Sequence, residues 1–214
     1  MGLATLLVLA DGRLPSGGHA HSGGLEAQVS AGRVRDLDTV AEFLRGKLAT
    51  SALVAAAFAA AACERPGRSP ELDAGFDCRT PSPALRKASR AQGRALLRAA
   101  RAMWALPPVG REPHQPVALG VVAAAAGLAP VQAAVAAAHG TVSGAASAAV
   151  RLLGLDPYTV HALLARLAPE CDRIAATAAA RAGDPVDDLP AAGAPLLDVG
   201  AELHATWEVR LFAS

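Results

Sequence analysis

The sequence predicts an all-α protein, a single-domain helical bundle of roughly eight to ten helices. Three observations carry this. Apolar residues make up 52 % of the 214, much of that alanine, while aromatics are only 3 %, and alanine is the strongest helix former. Large apolar residues (Phe43, Leu44, Leu48, Leu53, Phe58) recur at helical spacing through the stretch Val40 to Cys63. Helix start and stop signals then divide the rest: Ser82-Pro83, Asp156-Pro157 and Gly183-Asp184-Pro185. The length suits one domain, 1–214, able to bury a real core. No linker or internal repeat divides it.

In order, residues 3–10 read as a short helix ending at Asp11. A glycine-rich turn follows, and a second helix starts at Ser22 or Gly24 and reaches Ala31. Asp38 or Thr39 offers the next N-cap, with Thr39-x-x-Glu42 in capping-box form. The apolar helix after it stops at Glu64-Arg65-Pro66-Gly67. Residues 64–82 read as a surface excursion with one helical turn near Leu72. Ser82-Pro83 opens a helix reaching Trp104, whose Arg90, Arg94, Arg98 and Arg101 form a basic stripe. Such a stripe is a solvated face or a docking surface for an acidic partner.

Between Glu112 and Arg151 no residue carries a formal charge. Length alone would allow a membrane span, but the Ala, Gly and Val content and the break at Pro130 favour two buried helices forming a hairpin. Gly140, Ser143, Gly144 and Ser147 give a small-residue face for a close helix neighbour, with His139 as a core histidine. Asp156-Pro157 starts a helix reaching about Arg181, with Pro169 expected to kink it. A last short helix falls within Leu189 to Leu203, before the tail HATWEVRLFAS.

Composition also limits function. A net charge of +1 argues against nucleic acid as the partner, which needs a clustered basic face. The odd, widely spaced Cys63, Cys78 and Cys171 suit free thiols in a reducing compartment rather than a zinc or disulfide framework. Leu3 to Ala10 lacks the basic start of a signal peptide, and Leu6 spoils a myristoylation motif after Gly2. A cytoplasmic protein with no membrane partner is expected. There is no phosphate-binding loop with Lys-Ser/Thr and no G-x-S-x-G elbow, so no catalytic residue is assigned. His19-x-His21 is weak as a metal pair, and no metal ligand is assigned.

The densest cluster of residues that a plain bundle does not need is LLVLADGRLPSGGHAHSGGLEAQ, Leu6 to Gln28. Five glycines in thirteen residues beside two imidazoles point to a shaped loop. Leu6, Leu7, Asp11, Leu14, Pro15, Gly17, His21, Ser22, Gly24, Leu25 and Glu26 resemble the N-terminal signature of the UreF family of urease accessory proteins. His19 stands where that family more often has Tyr or Phe. The tail resembles the family's ending at His204, Arg210, Leu211, Phe212 and Ser214, while Ala205 and Ala213 depart from it. Arg86, Gly93, His114 and Gly120 also fall at matching positions. The family's Pro-Leu-x-Gln-x-x-Gly-Gln stretch is represented only by Leu155, so the resemblance by itself assigns no tunnel or dimer role to Gly154–His161.

The resemblance implies an all-helical, non-catalytic accessory protein. It would bind UreD (UreH in some bacteria), dimerise, and recruit the GTPase UreG for nickel insertion into the urease apoprotein. No cofactor is implied, nickel being handled by the assembly. The partner-binding residues by position are His19, His21, Ser22, Glu26, Arg210, Leu211 and Phe212. The physical expectation is a tail packed on the glycine-rich elbow, with Arg210 bonding backbone carbonyls through its planar fork. Two alternatives stand beside this adaptor: a GTPase-activating regulator of UreG, and a free-standing nickel-binding protein using His19 and His21.

Overall fold

The computed structural model describes Gly2–Ser214. It contains ten α-helical segments: α1 (Leu3–Ala10), α2 (Leu25–Ser30), α3 (Leu37–Lys47), α4 (Leu53–Glu64), α5 (Ser69–Cys78), α6 (Pro83–Ala100), α7 (Gln115–Ala125), α8 (Pro130–Leu153), α9 (Pro157–Ala179) and α10 (Pro195–Ala205). No strand occurs among the described residues. A π-helical turn, Leu48–Ala52, joins α3 to α4 in one rod of 28 residues.

Helix α4 is the axis of the bundle. Every residue from Val54 to Cys63 is buried, with α7, α8 and α9 packed around it. The alanine-rich surface makes this possible, because helices without bulky side chains can approach backbone to backbone. Gly120 of α7 marks the closest approach, where an added Cβ would collide with the Ala59 carbonyl, Ala62 and the Cys63 amide. The rod Leu37–Glu64 and α8 are each long and apolar enough to cross a membrane, yet 72 % and 56 % of their most apolar windows are buried inside the bundle.

Several boundaries differ from the sequence reading. The N-cap of α3 is Asp36, not Asp38 or Thr39. Its carboxylate accepts from the Thr39 amide at 2.9 Å, and Thr39 Oγ1 accepts from the Asp36 amide at 3.1 Å. Thr39 thus takes the third-position role, and Glu42 has no part in it. Residues 69–78 form a full helix instead of a surface turn. Leu72 and Phe76, four apart, are buried on a second small core, where Phe76 meets Phe58 edge-to-face at 5.2 Å. Two large apolar residues in ten gave too weak a periodic signal. Helix α6 ends at Ala100, short of Trp104, and Pro107-Pro108 just beyond bars continuation. Ser82 and Asp156 cap α6 and α9 as expected. Pro169 lies inside α9 without ending it.

The 115–153 hairpin forms, but only α7 is buried on most sides. On α8, His139, Gly140 and Ser147 are exposed, and an added Cβ at Gly140 or Gly144 would meet open space. So no described residue packs directly on Gly140 or Gly144; with Ser143 and Ser147 they line a cleft under the Leu9–His21 stretch, and His139 is not a core histidine. The basic stripe of α6 is divided. Arg90 and Arg94 are used internally, with Arg94 paired to Glu112 at 3.2 Å, while Arg98 and Arg101 face solvent.

Candidate interaction site

The two ends of the chain are folded onto each other. Positive φ at Gly17, Gly23 and Gly24 bends the elbow so that Ser22 points inward, fully buried. The tail runs across it with two main-chain bonds: the Ala213 amide donates to the Ala20 carbonyl (2.7 Å) and the Ser22 amide to the Ser214 oxygen (2.6 Å). Ser22 Oγ donates to the same Ser214 oxygen (2.9 Å) while accepting from the Glu26 amide (3.2 Å). His21 Nδ1 and Ser214 Oγ are hydrogen-bonded at 2.6 Å. Burial, and secondarily the neighbouring His19, lower the His21 pKa below that of a free imidazole.

Glu26 is the anchor of this arrangement. Its carboxylate accepts from the Leu211 amide (2.8 Å), the Phe212 amide (3.1 Å) and His204 Nε2 (2.8 Å). A carboxylate receiving two neighbouring backbone N–H groups and an imidazole N–H is well satisfied although buried. Phe212 is buried beneath the Arg151 guanidinium, which stands 4.6 Å over its ring. His204, at the end of α10, packs against Trp207. Gly200 brings α10 close to α2, and Gln28 Nε2 donates to the Leu196 carbonyl across that contact.

The structure therefore brings together His21, Ser22, Glu26, Phe212 and Ser214, as the tail-on-elbow expectation requires. It corrects the agent. Arg210 is exposed and its guanidinium makes no hydrogen bond or ion pair among the described residues, so it does not bond the elbow's carbonyls. The pinning is done by an acceptor on the elbow, Glu26, because the tail offers the Leu211 and Phe212 N–H groups and these need an acceptor, which an arginine is not. His19 and Leu211 are exposed, so the outer surface of the platform presents His19, Arg210 and Leu211.

Two features were not legible in the sequence. The first is a closed polar network: Arg90 donates to Asp73 (2.8 Å) and Asp77 (2.6 Å), the His114 amide to Asp73 (2.7 Å), and His114 Nε2 to Asp77 (2.8 Å). Asp73, Asp77 and His114 are the one group of three potential metal ligands among the described residues. All four carboxylate oxygens already accept hydrogen bonds, while the buried His114 Nδ1 has no partner among the described residues. Desolvation pulls the Asp77 carboxyl up, but hydrogen bonds from His114 and Arg90 outweigh it and leave its pKa low. Burial lowers the His114 pKa despite Asp77. Gly93 belongs here as well, since an added Cβ would strike the Pro113 carbonyl that leads into His114. The second feature is an open cleft of about 450 Å³ beneath the elbow, walled by residues of α6, α7 and α8, with His19, His21, Lys47 and His139 in its wall.

The fold and site define an all-helical bundle whose two termini are latched into one surface platform. A family model described as UreF matches residues 34–168. Relatives carrying the name urease accessory protein UreF align over almost the whole chain, so that elbow and tail are included. Those from Mycobacterium sp. (strain JLS) and Mycolicibacterium vanbaalenii are each 49 % identical, over 215 and 218 residues, and that from Mycobacterium tuberculosis is 42 % identical over 215. In all three alignments, 99 % of each chain is covered. The chain belongs to the UreF family of urease accessory proteins.

Proposed function

We propose that the chain is a non-catalytic adaptor of urease maturation, and that the tail-on-elbow platform is where partners engage. In this reading it binds UreD/UreH, recruits the GTPase UreG and supports nickel delivery to the urease apoprotein, as a homodimer within a cytoplasmic assembly. The supporting observation is the contrast across the tail. Glu26, Ser22 and His21 hold Phe212 and Ser214 from below, while Arg210, next to the held Leu211, is exposed and its guanidinium has no partner among the described residues. A free fork on a held backbone is pre-organised for a carboxylate or phosphate of another protein.

The test is Arg210→Ala in a co-expressed complex. Helix content and melting temperature stay at the wild-type value, because the side chain bonds nothing within the chain, and UreG recovery on size-exclusion chromatography falls. Undiminished co-elution of UreG counts against the platform. The exposed arginine also suits the second reading, a GTPase activator donating Arg210, which requires UreG turnover to rise by orders of magnitude and to collapse in Arg210→Ala. The third reading, a nickel-binding protein using His19 and His21, is disfavoured by geometry: His21 Nδ1 is held by Ser214 and Lys47 shares the cavity. A nickel titration showing a tight site on the purified chain would revive it.

A further inference from the structure

We infer that the cavity beneath the elbow is a binding site for a small inorganic oxyanion, with Lys47 as its principal ligand. Lys47 ends α3 and is only 6 % exposed. Its ammonium donates to one neutral acceptor, the Gly23 carbonyl at 2.8 Å, and lies 5.7 Å from the Phe43 ring centroid. No carboxylate pairs with it among the described residues, and two of its three N–H donors have no protein acceptor. Buried ammonium groups are ordinarily paired, because an unpaired one is expensive to desolvate. Arg90, by comparison, is met by two aspartates.

The other titratable groups in the cavity wall are Asp11, His19, His21 and His139. Asp11 is the single carboxylate, and Arg13 holds both of its oxygens. The wall is therefore rich in N–H donors and short of negative charge. A metal cation would face an ammonium and three imidazoles of which His21 is already engaged. An oxyanion would face complementary charge. The cavity, about 450 Å³, has room for a tetrahedral anion with several waters at ~30 Å³ each. Burial also lowers the Lys47 pKa to about 8, and a bound anion would raise it again. This inference does not depend on the partner reading, since it concerns the isolated chain.

The experiment titrates the full-length protein with inorganic phosphate and with sulfate against chloride at equal ionic strength, followed by NMR of the Lys47 Nζ and the histidine rings. The expected result is a saturable shift at Lys47 and a rise in the His21 titration midpoint, with affinity about tenfold or more weaker in Lys47→Met, one charge-assisted hydrogen bond's worth. Lys47→Arg retains binding. Melting curves confirm that each variant is folded. Lack of a saturable response beyond chloride, or unchanged affinity in Lys47→Met, overturns the site. If Lys47→Met does not fold, the wild-type spectra decide, and shifts confined to surface arginines refute it.

Discussion

Replacing Glu26 by alanine tests the latch directly. Four bonds between neutral groups hold residues 213 and 214 (two main-chain bonds, Ser22 Oγ and His21), worth ~1 kcal/mol each. The two N–H bonds to the Glu26 carboxylate add ~2 kcal/mol each, and burial of Phe212 about 2 kcal/mol. Against this total of roughly ten, ordering four residues costs roughly six at ~1.5 kcal/mol each. The tail is thus held by only about 4 kcal/mol, close to what Glu26 alone supplies. Glu26→Ala should release it, and hydrogen exchange at the Leu211 and Phe212 amides should accelerate about a thousandfold. Glu26→Gln keeps one acceptor oxygen and should fall between. Helix content should persist, because Phe212 is one residue of a main core that α3, α4 and α6 to α9 largely build. If the two amides in Glu26→Ala stay as protected as in wild type, the claim that this carboxylate pins the tail is wrong.

Three further outcomes follow from the same coordinates. Gly120→Ala should destabilise the chain by about 2 kcal/mol or more in urea unfolding, because its Cβ lands on the Ala59 carbonyl in an interface that cannot open. Gly140→Ala with Gly144→Ala should leave the isolated subunit as stable as before or up to ~1 kcal/mol per site more stable, since both face open space within helix α8. His21 and His114 have folded-state pKa values below that of free imidazole. The unfolded chain therefore takes up their protons first, and stability is full above about pH 6.5 and declines as pH falls below it. His21→Asn should flatten part of that decline and reduce the acid-induced loss of protection at the Ala213 amide.

Much of the helical pattern was legible from local chemistry. Ser82-Pro83 and Asp156-Pro157 announce helices because a capping oxygen and a fixed proline φ act within one turn of chain. The Glu64–Gly67 break works equally locally. The elbow could be singled out because five glycines and two imidazoles are costly to place without purpose, and the family likeness of both ends suggested that they meet. The sequence could not say which residue joins them. Arg210 looked like the natural fork, yet the need lay with the tail's N–H groups, which require an acceptor that an arginine cannot supply, and Glu26, which accepts two of them, is 185 residues away from the nearer.

Helix α5 and the small-residue face of α8 went astray for a related reason. Leu72 and Phe76 are core because Phe58, Val186 and Leu189 happen to converge on them, whereas Gly140 and Gly144 are open because the elbow stops short of them and leaves a cleft. Composition and capping are properties of neighbouring residues, so the sequence alone determined that this chain is helical and where most helices begin. Which faces are covered, which carboxylate receives the tail, and that Lys47 is buried without a counter-ion depend on groups brought together from distant parts of the chain, and only the tertiary structure decided them.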